Sequence, residues 1–389
     1  MLEEYRSSLD EWATDTLWRF GERLHRRPVS NTPSEIDHSR DEQTESDRAP
    51  CNRSRSHGDS GSGWSVPFDR PTVPSYPYDE TSSELTGVRP RENTGNPVLT
   101  VDDVTDFGNA HFVADPFLMG DPGGTLHMFF EVFNRNRTPT AAIGHATSTD
   151  EGCTWSYDGI VLEESDHLSF PYVFRYAGEY YMIPDKWDRE GIAPIDLYRA
   201  DSFPEEWTRV ARLVAPDRPL HDFVAFRWRD RWWGVAGDGS DMTVFHADEL
   251  ERDRWEPHPE NPVVTDRPRG ARPAGRPLVR RDHVELFVQD CTSQYGKRVR
   301  AFRIRRLSRS EYDDVELEDS PLLEPTEERF GWNSGRMHHV DAWYTGEEWV
   351  CAVDGNVNFR LGSFGKYHWS IGLYTGTESS PNESDPSVT

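Results

Sequence analysis

The chain has 389 residues, with 69 acidic against 43 basic side chains and a formal net charge of -26. The basic residues are interspersed among acids and offer no clustered cationic face for phosphate, which excludes nucleic acid as the partner. The first thirty residues lack the continuous apolar run of a signal peptide and no stretch approaches the roughly 18 apolar residues of a transmembrane helix, so the expected compartment is the cytoplasm.

In chain order, residues 1–27 read as an amphipathic helix. Leu2, Tyr5, Leu9, Leu17, Phe20 and Leu24 recur at helical spacing, Arg23, Arg26 and Arg27 suit the C-terminal dipole, and Pro28 stops the run. This helix is expected to fold back, to pair with another copy, or to contact a membrane or partner protein. Residues 28–75 are rich in Ser, Asp, Glu, Arg, Thr and Pro, with little to bury, and read as a disordered tether. Pro97 to Val101 is a short apolar segment suited to lending a strand to the far end of the fold.

Between Phe112 and Gly355 one pattern recurs five times: a polar or acidic residue opens a short apolar strand, a turn follows, and an aromatic-rich strand returns. The openings are Ala114-Asp115-Pro116-Phe117, Phe170-Pro171-Tyr172, Asp222-Phe223-Val224, Arg272-Pro273-Ala274-Gly275 and Val340-Asp341-Ala342-Trp343. Most are separated by little more than the roughly 50 residues of a kelch-type repeat. A second pair of strands follows in the units that carry Trp155, Trp207 and Trp255, giving about four strands per unit. The expectation is an all-β fold, a five-bladed β-propeller over residues 97–376, with a disordered tail at 377–389.

Lys186, Lys297 and Lys366 are the only lysines, so arginine supplies nearly all the positive charge. An acid-rich, lysine-poor surface suits a salt-accumulating cytoplasm, where screening removes ordinary repulsion. Cys51, Cys153, Cys291 and Cys351 show no metal-ligand spacing and are expected to be inert thiols.

The innermost strand of each propeller blade lines the central channel, so its first residues gather at one funnel mouth. Here those are Asp115, Tyr172, His221 with Asp222, Arg272, and His339 with Asp341. His338 and His339 alternate on an extended strand, so at most one is expected to face the channel. Inverting glycoside hydrolysis needs a base and an acid carboxyl about 6.5 to 9.5 Å apart. Asp115 is the candidate base and Asp222 its partner; Glu131 and Asp341 are candidates for the acid. The recurring acids also have a structural reading, as acceptors for the backbone of the next blade's turn.

Several segments carry a resemblance: Ala114-Asp115-Pro116-Phe117, Phe129-Phe130-Glu131, His167-Leu168-Ser169-Phe170-Pro171, Tyr181-Met182-Ile183-Pro184, Leu197-Tyr198-Arg199-Ala200, Arg272-Pro273-Ala274-Gly275 and Gln289-Asp290-Cys291 with Tyr295-Gly296. Together they resemble the N-terminal propeller domain of the glucosamine inositolphosphorylceramide transferases, itself similar to the five-bladed propellers of glycoside hydrolase family 43. The resemblance to the hydrolases implies a base Asp in the first blade, an Asp in the third, an acid Glu in the fourth, and a fifth-blade His near a channel cation such as Ca2+. Asp115 and Asp222 match the first two, and His339 or His338 the last. Where the acid Glu is expected this chain has Arg272-Pro273-Ala274-Gly275. The transferases act through a separate C-terminal domain, and little chain follows the last predicted strand, so transferase activity is not expected.

Two functions follow. One is a hydrolase-like propeller acting on a glycan or glycolipid headgroup, with Arg272 and Arg336 as forks for an anionic group, Tyr172, His221 and His339 contacting sugar, and no cofactor required beyond the channel cation. The other is a non-catalytic glycan-binding module that has lost the general acid.

Overall fold

The computed structural model describes residues 83–187, 192–328, 330–345, 348–358 and 368–379; the expected helix and tether lie outside them. The chain enters through strand β1 (Glu84–Pro90). Blade one is β2 (Phe112–Gly120), β3 (Leu126–Phe133), β4 (Ala141–Ser148) and β5 (Ser156–Leu162). Blade two is β6 (His167–Tyr176), β7 (Glu179–Trp187), β8 (Ile195–Ser202) and β9 (Glu206–Val214). Blade three is β10 (His221–Trp228), β11 (Arg231–Gly237), β12 (Met242–Ala247) and β13 (Glu256–Pro257). In blade four the inner strand comes in two pieces, β14 (Arg272–Pro273) and β15 (Leu278–Val279), followed by β16 (Val284–Asp290), β17 (Arg298–Leu307) and β18 (Tyr312–Glu316). Blade five is β19 (Val340–Tyr344), β20 (Trp349–Asn356) and β21 (Trp369–Ser379). Every pairing within a blade is antiparallel, and the described region is an all-β, five-bladed propeller.

The ring is closed by β1, which pairs antiparallel with β21 as the outer strand of blade five. The segment expected to do this, Pro97 to Val101, makes only an isolated bridge from Leu99 to Ile371, and part of it turns into a short 3-10 helix. Leu85 N–H donates to the buried Glu285 carboxylate at 3.0 Å, and Arg280 holds that carboxylate from the other side. The lent strand pairs the edge that β21 would otherwise leave open. The last strand also runs three residues into the segment expected to be tail, ending at Ser379.

Blades pack face to face through aromatic and branched side chains. Phe117 of blade one meets Phe170 and Tyr172 of blade two edge-on, and Phe174 of blade two lies against Trp232 of blade three. The apolar core runs through all five blades.

The inner strands of blades one to three share a defect. Each carries a bulge, between Ala114 and Phe117, Ser169 and Tyr172, and His221 and Val224. The bulge residues Asp115, Phe170 and Asp222 have φ of 53°, 44° and 57°. That left-handed conformation is tolerated by Asp through its short polar side chain, and it re-aims the carboxyl out of the pleat. Blade four breaks its inner strand instead, at Gly275 with φ 148°.

Cys153 is disulfide-bonded, which corrects the expectation of an inert thiol at that position. Cys291 and Cys351 are free.

Candidate functional site

The bulges bring Asp115 and Asp222 to the same end of the ring. Asp115 is buried; its Oδ2 accepts the Phe170 N–H of the next blade at 3.3 Å, while Oδ1 lies 3.8 Å from His338 Nε2 and 3.9 Å from His339 Nδ1. Burial pushes the Asp115 carboxyl well above the usual carboxylate range, and the charges of Glu131, Asp354 and Asp222 push it further. It holds its proton more tightly than a free aspartate.

Asp354, at the end of β20, underlies this group. It accepts the Asp115 N–H at 3.4 Å and the N–H groups of His338 and His339 at 3.0 and 3.1 Å, with His338 Nδ1 at 2.6 Å. Burial alone would raise its pKa; His338 and the donated hydrogen bonds prevail and hold it below the ordinary value. Both imidazoles lie within 4 Å of Asp115, although the His339 ring is itself fully buried. They precede β19, so strand alternation does not govern them.

Asp222 is clamped. Arg272 reaches it through Nε and Nη2, and Gln289 Nε2 donates to the same carboxylate at 2.7 Å. Burial pushes the Asp222 carboxyl up, and the guanidinium opposes that rise. The Arg272 guanidinium also lies over the ring of Tyr295, 5.0 Å from its centroid. Around the rim, His221 Nδ1 meets Asp185 at 3.1 Å and His167 Nε2 meets Glu131 at 3.2 Å.

Other expected site residues serve the framework. Tyr172 is fully buried, its hydroxyl donating to Ala225 O at 2.6 Å. Asp341 is fully buried too; it accepts from Arg276 Nε at 2.9 Å and from Leu118 N–H at 2.6 Å, stapling blades one, four and five. A carboxylate so enclosed is no candidate for the acid. The His339 ring is fully buried between Phe117 and Phe170, its Nε2 at 3.0 Å from Pro116 O; burial lowers its pKa to about 3. Arg336 lies against the ring of Trp369.

Asp115, His338 and Asp354 offer two carboxylate oxygens and one imidazole nitrogen, all within 4.8 Å of one another. Calcium takes roughly six to eight oxygen ligands, so three donors of mixed type suit it only with water completing the shell; an imidazole among them suits a transition ion equally. The histidine so placed is His338, whereas His339 spends its Nε2 on Pro116.

The family model for the N-terminal region of glucosamine inositolphosphorylceramide transferase 1 matches residues 77–356. The chain belongs to this family. A curated relative of that name from Oryza sativa subsp. japonica is 36% identical over 271 residues, and one from Arabidopsis thaliana 38% identical over the same length. Each alignment covers 67% of this chain but only 35% and 34% of the relative, so the chain spans about a third of their length.

The fold of this chain is similar to that of several solved enzymes that act on sugars. The catalytic domain of a GH62 α-L-arabinofuranosidase from Coprinopsis cinerea superposes with TM-score 0.56 at 13% identity, over 76% of this chain and 98% of that one. A β-1,2-mannobiose phosphorylase from Listeria innocua gives 0.54 at 12% identity, over 76% and 97%. A xylan β-1,4-xylosidase from Bacillus halodurans gives 0.53 at 15% identity, over 72% and 54%. At these identities the likeness is one of fold.

In this family member the site includes residues that sequence reasoning passed over. Asp354 ends the second strand of its blade as Glu131 and Asp185 do, and that recurrence was its only signal. Gln289 and Tyr295 lay inside the segments that carry the resemblance, without a role attached.

Proposed function

We propose that the propeller binds a glycan or glycolipid headgroup in the funnel around Asp115 and serves as a recognition module. The supporting observation is how the carboxyls are used. Asp222 is taken up by Arg272 and Gln289, Asp341 by Arg276 and Leu118, and Asp354 by backbone N–H groups and His338. Asp115 keeps one oxygen directed at no closer partner than the two imidazoles, and its proton affinity is raised by burial and by the neighbouring carboxylates. A protonated carboxyl can donate to a sugar hydroxyl, and the Tyr295 ring beside Arg272 offers a face for the sugar's apolar side.

The charge pattern bears on the ligand. Asp115, Glu131, Asp185, Asp222 and Asp354 act on one another around Arg272, whose fork is turned onto Asp222. Such a ring favours a neutral or amine-bearing sugar over a uronate, which would have to displace Asp222 from Arg272. The relatives' name, with its glucosamine and inositolphosphorylceramide, agrees with a glycolipid headgroup.

Hydrolysis is the second reading, favoured by one observation: after burial, the charge of Glu131 is the largest influence raising Asp115. A carboxyl whose proton affinity is raised by a neighbouring carboxylate is the kind of group acid-base cleavage uses. Calorimetric titration of arabinose, xylose, mannose and glucosamine, run beside turnover of their aryl glycosides, decides between the readings. Saturable binding without turnover is expected. Turnover lost in Asp115→Asn would establish the hydrolase, and neither binding nor turnover would end both readings.

A further inference from the structure

Four large apolar side chains stand exposed among the described residues, Trp187, Tyr295, Val315 and Phe330, and the first two are at the funnel. Tyr295 flanks Arg272, as described above. Trp187, 45% exposed, ends β7 of blade two. It pairs in register with His167, the first residue of β6, two residues beyond the pair formed by Asp185 and Ser169.

The surroundings of Trp187 are those of a sugar subsite. Its indole lies between two imidazoles, with ring centroids 5.2 Å from His167 and 5.6 Å from His221. Each imidazole is anchored by a carboxylate, His167 by Glu131 and His221 by Asp185. The arrangement is an apolar plate bordered on both sides by oriented hydrogen-bonding groups. A pyranose or furanose ring presents the matching surface, C–H groups on its face and hydroxyls at its edge. An apolar peptide partner would leave those anchored polar groups without use. The plate borders the funnel, since His221 at its edge is the chain neighbour of Asp222 and is held by Asp185.

We propose that Trp187 is the stacking platform of a second, outer sugar subsite, so that the ligand is at least a disaccharide or a glycosylated headgroup with two ring units. One ring sits by Tyr295 and Asp115, and the next lies on Trp187 with His167 and His221 at its edge. This rests on the reading of the funnel as a sugar site.

The experiment compares monosaccharides with disaccharides on the full chain: xylose with xylobiose, mannose with β-1,2-mannobiose, and glucosamine with its β-1,4 dimer. Binding is titrated calorimetrically on wild type, Trp187→Ala and Trp187→Phe. Trp187→Ala should weaken the disaccharide that binds best by about tenfold and change its monosaccharide less than about twofold. Trp187→Phe keeps a ring and should retain most of the disaccharide affinity, which also serves if the alanine variant folds poorly. The wild-type indole N–H resonance absent from the Trp187→Phe spectrum should move with disaccharide only. Equal weakening of both ligands, or none of either, overturns the outer subsite while leaving the funnel reading intact. Wild type binding neither sugar length overturns both.

Discussion

Arg272 and Asp222 face each other across the junction of the third and fourth blades in a two-pronged ion pair, Nε to Oδ2 at 2.5 Å and Nη2 to Oδ1 at 3.2 Å. Both are buried, so each group's charge is tolerable only because of the other. Arg272→Ala should therefore cost about 3 to 5 kcal/mol of stability, measured by urea unfolding, because Asp222 is left enclosed without its cation. Arg272→Met combined with Asp222→Asn should lose less than Arg272→Ala alone. A double variant as unstable as the single one would show that packing, not the unpaired charge, sets the cost.

Asp115→Asn tests the carboxyl in the funnel. Asn adopts the same left-handed backbone and its amide oxygen can still accept the Phe170 N–H. The fold and melting temperature should stay close to those of wild type, and sugar affinity should fall by less than about tenfold, since an amide can also donate to a hydroxyl. Any glycosidase turnover should fall by at least about a hundredfold. Circular dichroism melts and calorimetry with and without chelator separate these effects from loss of a bound cation.

Acid sensitivity should trace in part to His145. Burial, reinforced by the neighbouring His127, lowers its pKa to about 3. The unfolded chain takes up this proton below its ordinary value of about 6.5 while the folded chain refuses it until about 3. The stability is thus full above about 6.5 and falls by up to about 1.4 kcal/mol per pH unit as pH drops towards 3. His145→Gln should flatten the acid limb of a stability-pH curve without abolishing it, because His339 and His368 are lowered too, to about 3 and about 4. An unchanged slope would mean His145 does not stay neutral in the fold.

Gly275 is where the broken inner strand of blade four packs against the backbone of Val340 at the start of β19. A β-carbon there would lie 1.8 Å from Val340 O, and its φ of 148° is one that residues with side chains rarely adopt. Gly275→Ala should destabilise by at least about 3 kcal/mol or prevent folding. Gly95→Ala, which meets nothing within 4 Å, should stay within about 0.5 kcal/mol of wild type. Chemical unfolding of the two variants side by side is the check.

The excess of acid over base and the scarcity of lysine lead to a salt prediction. The melting temperature should rise between low and molar potassium chloride as the self-repulsion of the surface is screened. A melting temperature that is flat or falls across that range would remove the salt-adapted reading.

The sequence by itself determined the blades. Alternation with period two, turn residues and a returning aromatic strand are local signals, and five copies of them specify five sheets and put Asp115 and Asp222 at the openings of two. Tertiary structure decided what those openings hold. Tyr172 was expected at the mouth as one of the first residues of its inner strand, but the bulge after Ser169 inserts a residue and shifts the side-chain alternation beyond it, and Tyr172 enters the core. The partners that define the site meet only in the packed fold: Arg272 reaches Asp222 across the junction of neighbouring blades, Asp354 reaches His338 within blade five, and Glu285 takes the strand at Leu85 when the ring closes. Closing a ring joins residues by geometry rather than by spacing along the chain, so neither the clamp on Asp222 nor the raised proton affinity of Asp115 has a local pattern to be read from.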